Sequence, residues 1–185
     1  MEGAEELGGS FPEWAVEPVR LVEHDPAWAR RAEGFAGEVR ELFGRYLIGD
    51  VVHVGSTAIP GLPAKPIIDL QSVAADPVKA VTAAGVAAEA ASWMLVPREL
   101  DQQPWRWLFV RVDSQGCSRL AHLHLMPPGQ ARWDEQLHFR DQLRLSAELR
   151  AEYAALKQRL AVDHHDDREA YTAAKSAFVR RVTAG

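Results

Sequence analysis

A chain of 185 residues is long enough for one domain with a real hydrophobic core. Apolar residues make up 47% and charged residues 25%, and the formal charge of −5 argues against a general nucleic-acid-binding surface while leaving room for a local basic pocket. The single cysteine, Cys117, excludes an internal disulfide and fits a reducing cytoplasm, and no signal peptide or membrane-spanning apolar run is expected.

In chain order, residues 1–17 are rich in Glu and Gly, lack periodicity and read as a mobile N-terminal arm, with Trp14 able to pin part of it to the body. Residues 18–185 read as a single domain. Val19 to Val22 is a short strand candidate. Asp25-Pro26 is a cap followed by proline at the first helical position. Trp28, Ala32, Phe35, Val39 and Leu42 then follow at helical spacing, and Gly44 is expected to stop that helix. Val51 to Val54 reads as a strand broken by Gly55-Ser56. A loop with Pro60, Gly61 and Pro63 leads to Lys65 and a second strand over 66–73. Asp76-Pro77 repeats the cap signal and starts an alanine-rich helix to about Ser92. Its small side chains suit close packing against a sheet. Residues 97–104 read as a polar loop. Residues 105–112 and 117–126 read as an antiparallel hairpin around a turn at 113–116. From Ala131 onward the chain reads helical, over 131–144, 146–162 and 167–182, with Asp166 as a cap for the last. His164–His165 reads as a loop. These elements predict an α/β (α+β) fold, a mixed sheet with flanking helices and a helical C-terminal region.

Four features carry chemistry. Gly55-Ser56, at a strand end, reads either as a tight turn that needs glycine or as a turn whose N–H groups bind phosphate oxygens. Asp69 lies in the apolar run I-I-D-L-Q, where an unpartnered carboxylate is costly to bury. It reads as a ligand for a divalent cation, or as half of a salt bridge to Lys65 or an arginine. Lys65 is a phosphate contact or a solvated lysine. His122 and His124 stand two apart in A-H-L-H-L-M, so a strand points both to one face. They can bind a transition metal, act as acid and base, contact phosphate, or form a structural pair. Met126 at the next alternate position separates this from H-x-H-x-H histidine-triad hydrolases. Among the C-terminal helices, Arg140-Asp141, Lys157, Arg168, Tyr171 and Lys175 offer charge, and Tyr171 and Lys175 share a helix face.

The run H-V-G-S-T-A-I-P-G-L-P-A-K-P-I-I-D-L-Q resembles the GrpB family of small bacterial proteins. So, in the same order, do L-V-E-H-D-P-A-W before it and H-L-H-L-M-P-P-G, F-R-D-Q-L-R, A-E-Y-A-A-L-K and D-D-R-E-A-Y-T-A-A-K-S-A-F-V after it. The resemblance covers about residue 19 to the C-terminus and implies the polymerase-β-like nucleotidyltransferase superfamily. By position, Gly55 and Ser56 match that superfamily's Gly-Ser turn and Asp69 its first carboxylate. Gln71 stands where a second carboxylate is usual, and His122 and His124 occupy the later strand that would supply a third. The expectation is a nucleotide or other phosphate-bearing small molecule held by Gly55, Ser56, Lys65 and Lys175. Asp69 would hold Mg²⁺ or Mn²⁺ as cofactor, with Asp69, His122 and His124 as the catalytic candidates. Gln71 leaves open a non-catalytic nucleotide-binding module, and the histidine pair leaves open a histidine/aspartate metal-dependent phosphoester enzyme.

Overall fold

The computed structural model of this chain describes Trp14, Pro18, residues 20–164 and residues 167–183. Five strands form one mixed sheet in the order β1-β2-β5-β4-β3. They are β1 (Leu47–Val54), β2 (Ile68–Ala74), β3 (Trp93–Leu95), β4 (Trp107–Val112) and β5 (Arg119–Met126). Neighbours run antiparallel except β2 and β5, which lie side by side and parallel.

The alternation read in the sequence sorts the sheet's two faces. Ile68, Leu70, Phe109, Ala121, Leu123 and Leu125 point to one face and join the main core. That face is covered by α1 (Ala27–Phe43), with Trp28, Ala32, Val39 and Phe43 buried, and by α2 (Pro77–Ala90). In α2 the buried side chains are Pro77, Ala80, Ala84 and Ala88. The alanines recur every four residues on one stripe and let this helix lie close to the strands. Asp76 caps α2 by accepting from Lys79 N at 3.0 Å, with proline at the first helical position.

The opposite face carries Asp69, Gln71, His122 and His124. Beside it stand the helices α4 (Ala131–Leu145), α5 (Ala147–Asp163), α6 (Arg168–Ala174) and α7 (Ser176–Thr183). Their own core joins Phe139, Leu143, Tyr153, Phe178 and Val182 to Ile59 and Leu62 from the loop after β1. Ser146 caps α5 by accepting from Leu149 N. Among the described residues no helix is long and apolar enough to cross a membrane.

Several expectations are corrected. The strand candidate at 19–22 reduces, among described residues, to one bridge between Val22 and Ala64. A lone pair of hydrogen bonds suffices there because the segment pairs with a loop. Gly44 does not adopt a left-handed cap; its φ of −48° carries the helix into a short 3-10 turn over Gly44–Tyr46. The polar loop at 97–104 contains a single helical turn, α3 (Arg98–Asp101). β3 is too short for periodicity to reveal and exists because β4 offers it an edge. The last helix is broken at Lys175, and its cap is Asp167, which accepts from Ala170 N at 2.9 Å. Asp166, most of the N-terminal arm and His165 lie outside the described residues. Trp14 lies against the body, its carbonyl accepting from Arg119 Nε at 2.6 Å.

Candidate functional site

The site begins where β1 ends. Gly55 has φ +70° and ψ −170°, a conformation that L side chains rarely adopt. A Cβ there would overlap Asp69 Oδ2 and stand 3.0 Å from Asp69 Cβ. The antiparallel register, Val54 opposite Asp69, forces this approach. Both the backbone angle and the neighbouring carboxylate therefore demand glycine. Ser56–Ala58 follows as one 3-10 turn. Helix α4 braces it from both sides: Arg140 Nη1 donates to the His53 carbonyl and Arg144 Nε to the Ala58 carbonyl, each at 2.9 Å. His53 Nε2 lies 2.9 Å from Thr57 Oγ1, and burial lowers the His53 pKa to about 4, against the opposing charge of Asp69.

The parallel register sets Asp69 beside His122 and Gln71 beside His124. His122 Nδ1 lies 3.0 Å from Asp69 Oδ1, and His124 Nε2 lies 3.7 Å from the same oxygen. The partners of Asp69 are thus these imidazoles. Burial pushes the Asp69 pKa upward, but the hydrogen bond from His122 and the nearby His124 imidazole outweigh it and hold the carboxyl well below the usual range. Burial lowers His122 to about 4 against the pull of Asp69, and lowers His124 as well. Both rings are neutral near pH 7. Nδ1 of His122 therefore carries the proton given to Asp69, leaving Nε2 as a buried lone pair with no partner among the described residues.

One ligand atom from each of Asp69, His122 and His124 falls within 4.8 Å of the others, close enough to surround one cation. A carboxylate with two imidazoles fits a first-row divalent metal. Gln71 adds no charge: it is fully buried and its Nε2 donates to the Trp133 carbonyl at 3.3 Å. A cation here would draw charge from Asp69 alone and needs anionic oxygens from a ligand to complete its shell.

Three lysines gather around Tyr153 and Tyr171. Lys175 Nζ lies 4.2 Å and Lys65 Nζ 5.3 Å from the centre of the Tyr171 ring. Lys157 is buried, its Nζ donating to the Pro63 carbonyl and lying 4.9 Å from the Tyr153 ring centre. Burial lowers the Lys157 pKa to about 7, helped by the charges of Lys175 and Lys65. Tyr153 in turn lies beside Ser56, and burial raises its pKa. Lys157 thus adjoins Tyr153, which lies beside Ser56, next in the chain to Gly55 against Asp69, while Lys65 and Lys175 sit on the Tyr171 ring and reach Lys157 through their charge. A cleft of about 310 Å³ is lined by Lys65, Arg20 and Arg119, among others.

Of the sequence-derived candidates, Gly55, Ser56, Asp69, His122 and His124 thus come together where β1, β2 and β5 meet, while Lys65 and Lys175 meet at the Tyr171 ring. Sequence reasoning underweighted Lys157, although Tyr153 and Lys157 repeat the four-residue aromatic–lysine spacing of Tyr171 and Lys175. It missed Arg106 entirely. That side chain donates to His124 Nδ1 at 2.6 Å while Trp105 stacks on the same imidazole at 5.8 Å.

A family model described as GrpB protein matches residues 18–184. The UPF0157 protein BH1888 of Halalkalibacterium halodurans is 34% identical, over 89% of this chain and 80% of that protein. The crystal structure of conserved protein GrpB from Enterococcus faecalis superposes with a TM-score of 0.75 at 24% identity, covering 89% of this chain and 95% of that one. The structure of Cid1 in complex with its short product ApU superposes with a TM-score of 0.50 at 12% identity, over 82% of this chain and 48% of Cid1. These likenesses to solved structures establish the shared, nucleotidyltransferase-like architecture.

Proposed function

The chain belongs to the GrpB family, and from that premise we propose that it binds a nucleotide or other phosphate-bearing small molecule together with Mg²⁺ or Mn²⁺. The observation that carries this reading is the Gly55-Ser56 turn held against Asp69, with Tyr153 and Lys157 beside it and the charges of Lys65 and Lys175 acting on Lys157. The lysines and the turn suit the anionic oxygens, and Asp69 would repel them unless a cation stood between. Asp69 would hold that cation, which would neutralise phosphate charge and orient the ligand. Cid1, seen with ApU, makes nucleotides the first class to test. The lone cysteine keeps the cytoplasm as the proposed compartment.

Two further readings have an observation each. Gln71, buried and neutral, favours a binding module without transfer chemistry. The convergence of Asp69, His122 and His124 favours a histidine/aspartate metal-dependent phosphoester enzyme.

Calorimetry with ATP, in Mg²⁺ and in chelator, tests the main reading. Wild type should bind more tightly with metal, and Asp69→Asn should lose that difference while keeping a native circular dichroism spectrum. Equal affinity in metal and chelator, or no nucleotide bound at millimolar concentration, would refute it. Turnover of labelled nucleotide then separates transferase from binding module.

A further inference from the structure

The His124 imidazole carries one proton in its neutral form, and its neighbours decide which nitrogen holds it. Arg106 Nη1 stands 2.6 Å from His124 Nδ1. A guanidinium can only donate, and it stays protonated at any working pH. Nδ1 must therefore accept, which leaves the proton on Nε2, the nitrogen turned toward Asp69.

Arg106 is itself held in place. Its Nε donates to Asp101 Oδ2 at 3.0 Å and its Nη2 to Asp101 Oδ1 at 2.5 Å, a two-pronged pair. The two side chains are only 15% and 6% exposed. The pair leaves Nη1 as the prong aimed at the histidine.

For His124 to ligate a metal through Nε2, that nitrogen must give up its proton and offer a lone pair. The ring stays neutral only if a proton is taken up at Nδ1. An Nδ1–H would then face the Nη1–H of Arg106, two donors without an acceptor.

We propose that Arg106 is a positioning residue that bars His124 from acting as a metal ligand and makes it an N–H donor to an anionic ligand oxygen. The 3.7 Å gap from Nε2 to Asp69 Oδ1 leaves that N–H without a tight bond to the carboxylate and able to serve a phosphate oxygen. The site then keeps at most one imidazole ligand, His122, beside Asp69 and ligand oxygens, a set less suited to Zn²⁺, Co²⁺ or Ni²⁺ than one with both histidines. This inference rests on the phosphate-and-cation reading for its ligand, but its test does not use one.

The full chain, labelled with ¹⁵N-histidine and free of metal, is examined by long-range proton–nitrogen correlation spectroscopy. His124 should show a protonated Nε2 and a bare Nδ1; a protonated Nδ1 overturns the proposal. Co²⁺ is then titrated and followed by its visible absorption. Arg106→Met should bind Co²⁺ at least tenfold more tightly than wild type, and adding His124→Ala should abolish the gain. Arg106→Lys, which keeps a donor, should remain near wild type. A folded Arg106→Met protein that binds Co²⁺ no more tightly also overturns the proposal. If that variant does not fold, the tautomer measured in wild type decides. Absence of nucleotide binding would sink the function proposed above and leave these results standing.

Discussion

Replacing Gly55 by alanine tests whether the turn and the carboxylate are built around each other. Two costs add. The backbone at φ +70°, ψ −170° lies in a region open essentially to glycine, which costs about 1–3 kcal/mol for alanine. The new Cβ also collides with the Asp69 carboxylate, standing 3.0 Å from its Cβ, so the carboxylate must move away from His122. Losing one hydrogen bond to a charged group costs a further 1.5–3 kcal/mol or about that. The expected total is about 2.5–6 kcal/mol, at the upper end for a single substitution. Gly61 supplies the control: its φ is +76°, but a Cβ there meets nothing within 4 Å. Gly61→Ala should lose only the backbone part, about 1–2 kcal/mol. Urea unfolding followed by tryptophan fluorescence measures both. Adding Asp69→Ala to Gly55→Ala should return at least about 1 kcal/mol as a coupling energy, since the closest overlap, with the carboxylate oxygen, is gone. Equal losses in the two glycine variants, with no coupling to Asp69, would refute the steric argument.

Other perturbations have equally definite outcomes. His53 and His122 both have folded pKa values of about 4, lowered from 6.5, so the unfolded chain binds more protons between those values. The contribution of these two histidines should be full above pH 6.5 and fall as pH drops toward 4; the Asp69 contribution, from a depressed carboxyl pKa, is lost only at lower pH. A flat unfolding free energy from pH 7 to pH 4.5 would contradict both assignments. Lys157, lowered from 10.5 to about 7, should make wild type gain stability as pH rises from 7 toward 10.5. Lys157→Met should abolish that gain and weaken ATP binding at least tenfold in calorimetry. Gln71→Glu should destabilise the protein by about 1–3 kcal/mol in chelator, because a carboxylate cannot donate to the Trp133 carbonyl and would be buried against it. Unchanged urea stability would show that this amide's hydrogen bond contributes nothing.

The functional residues were legible to different degrees. Asp69 and the histidine pair were visible because polar residues in apolar, alternating strands are conspicuous, and a strand's period of two assigns their faces. Gly55 was visible as a strand breaker, but one of its two reasons is not local. Its left-handed backbone belongs to the turn; the collision with Asp69 arises from the pairing of β1 with β2. Lys157 was ambiguous because an exposed helix face also carries lysines. Its burial follows from α5 packing over the Pro63 carbonyl. Arg106 left no trace, since the apolar look of residues 105–112 drew the strand start to Trp105. The ladder begins at Trp107, which frees Trp105 to stack on His124 and Arg106 to reach it.

The sequence by itself determined the elements and their inner faces. Hydrophobic period, the cap Asp76-Pro77 and the break at Gly55 are local physics, written in residues that touch their own neighbours. It also marked which polar residues the core would have to accommodate. The tertiary structure decided strand order, and with it everything chemical about the site. Placing β2 parallel to β5 brings Asp69 to His122 across 53 residues, and placing β4 beside β5 brings Arg106 to His124 across 18. Hydrogen bonds at such separations have no periodic or propensity signal, because their cost is the closure of a long loop and their reward appears only once the sheet has formed. Which nitrogen of His124 carries a proton is for that reason a property of the fold.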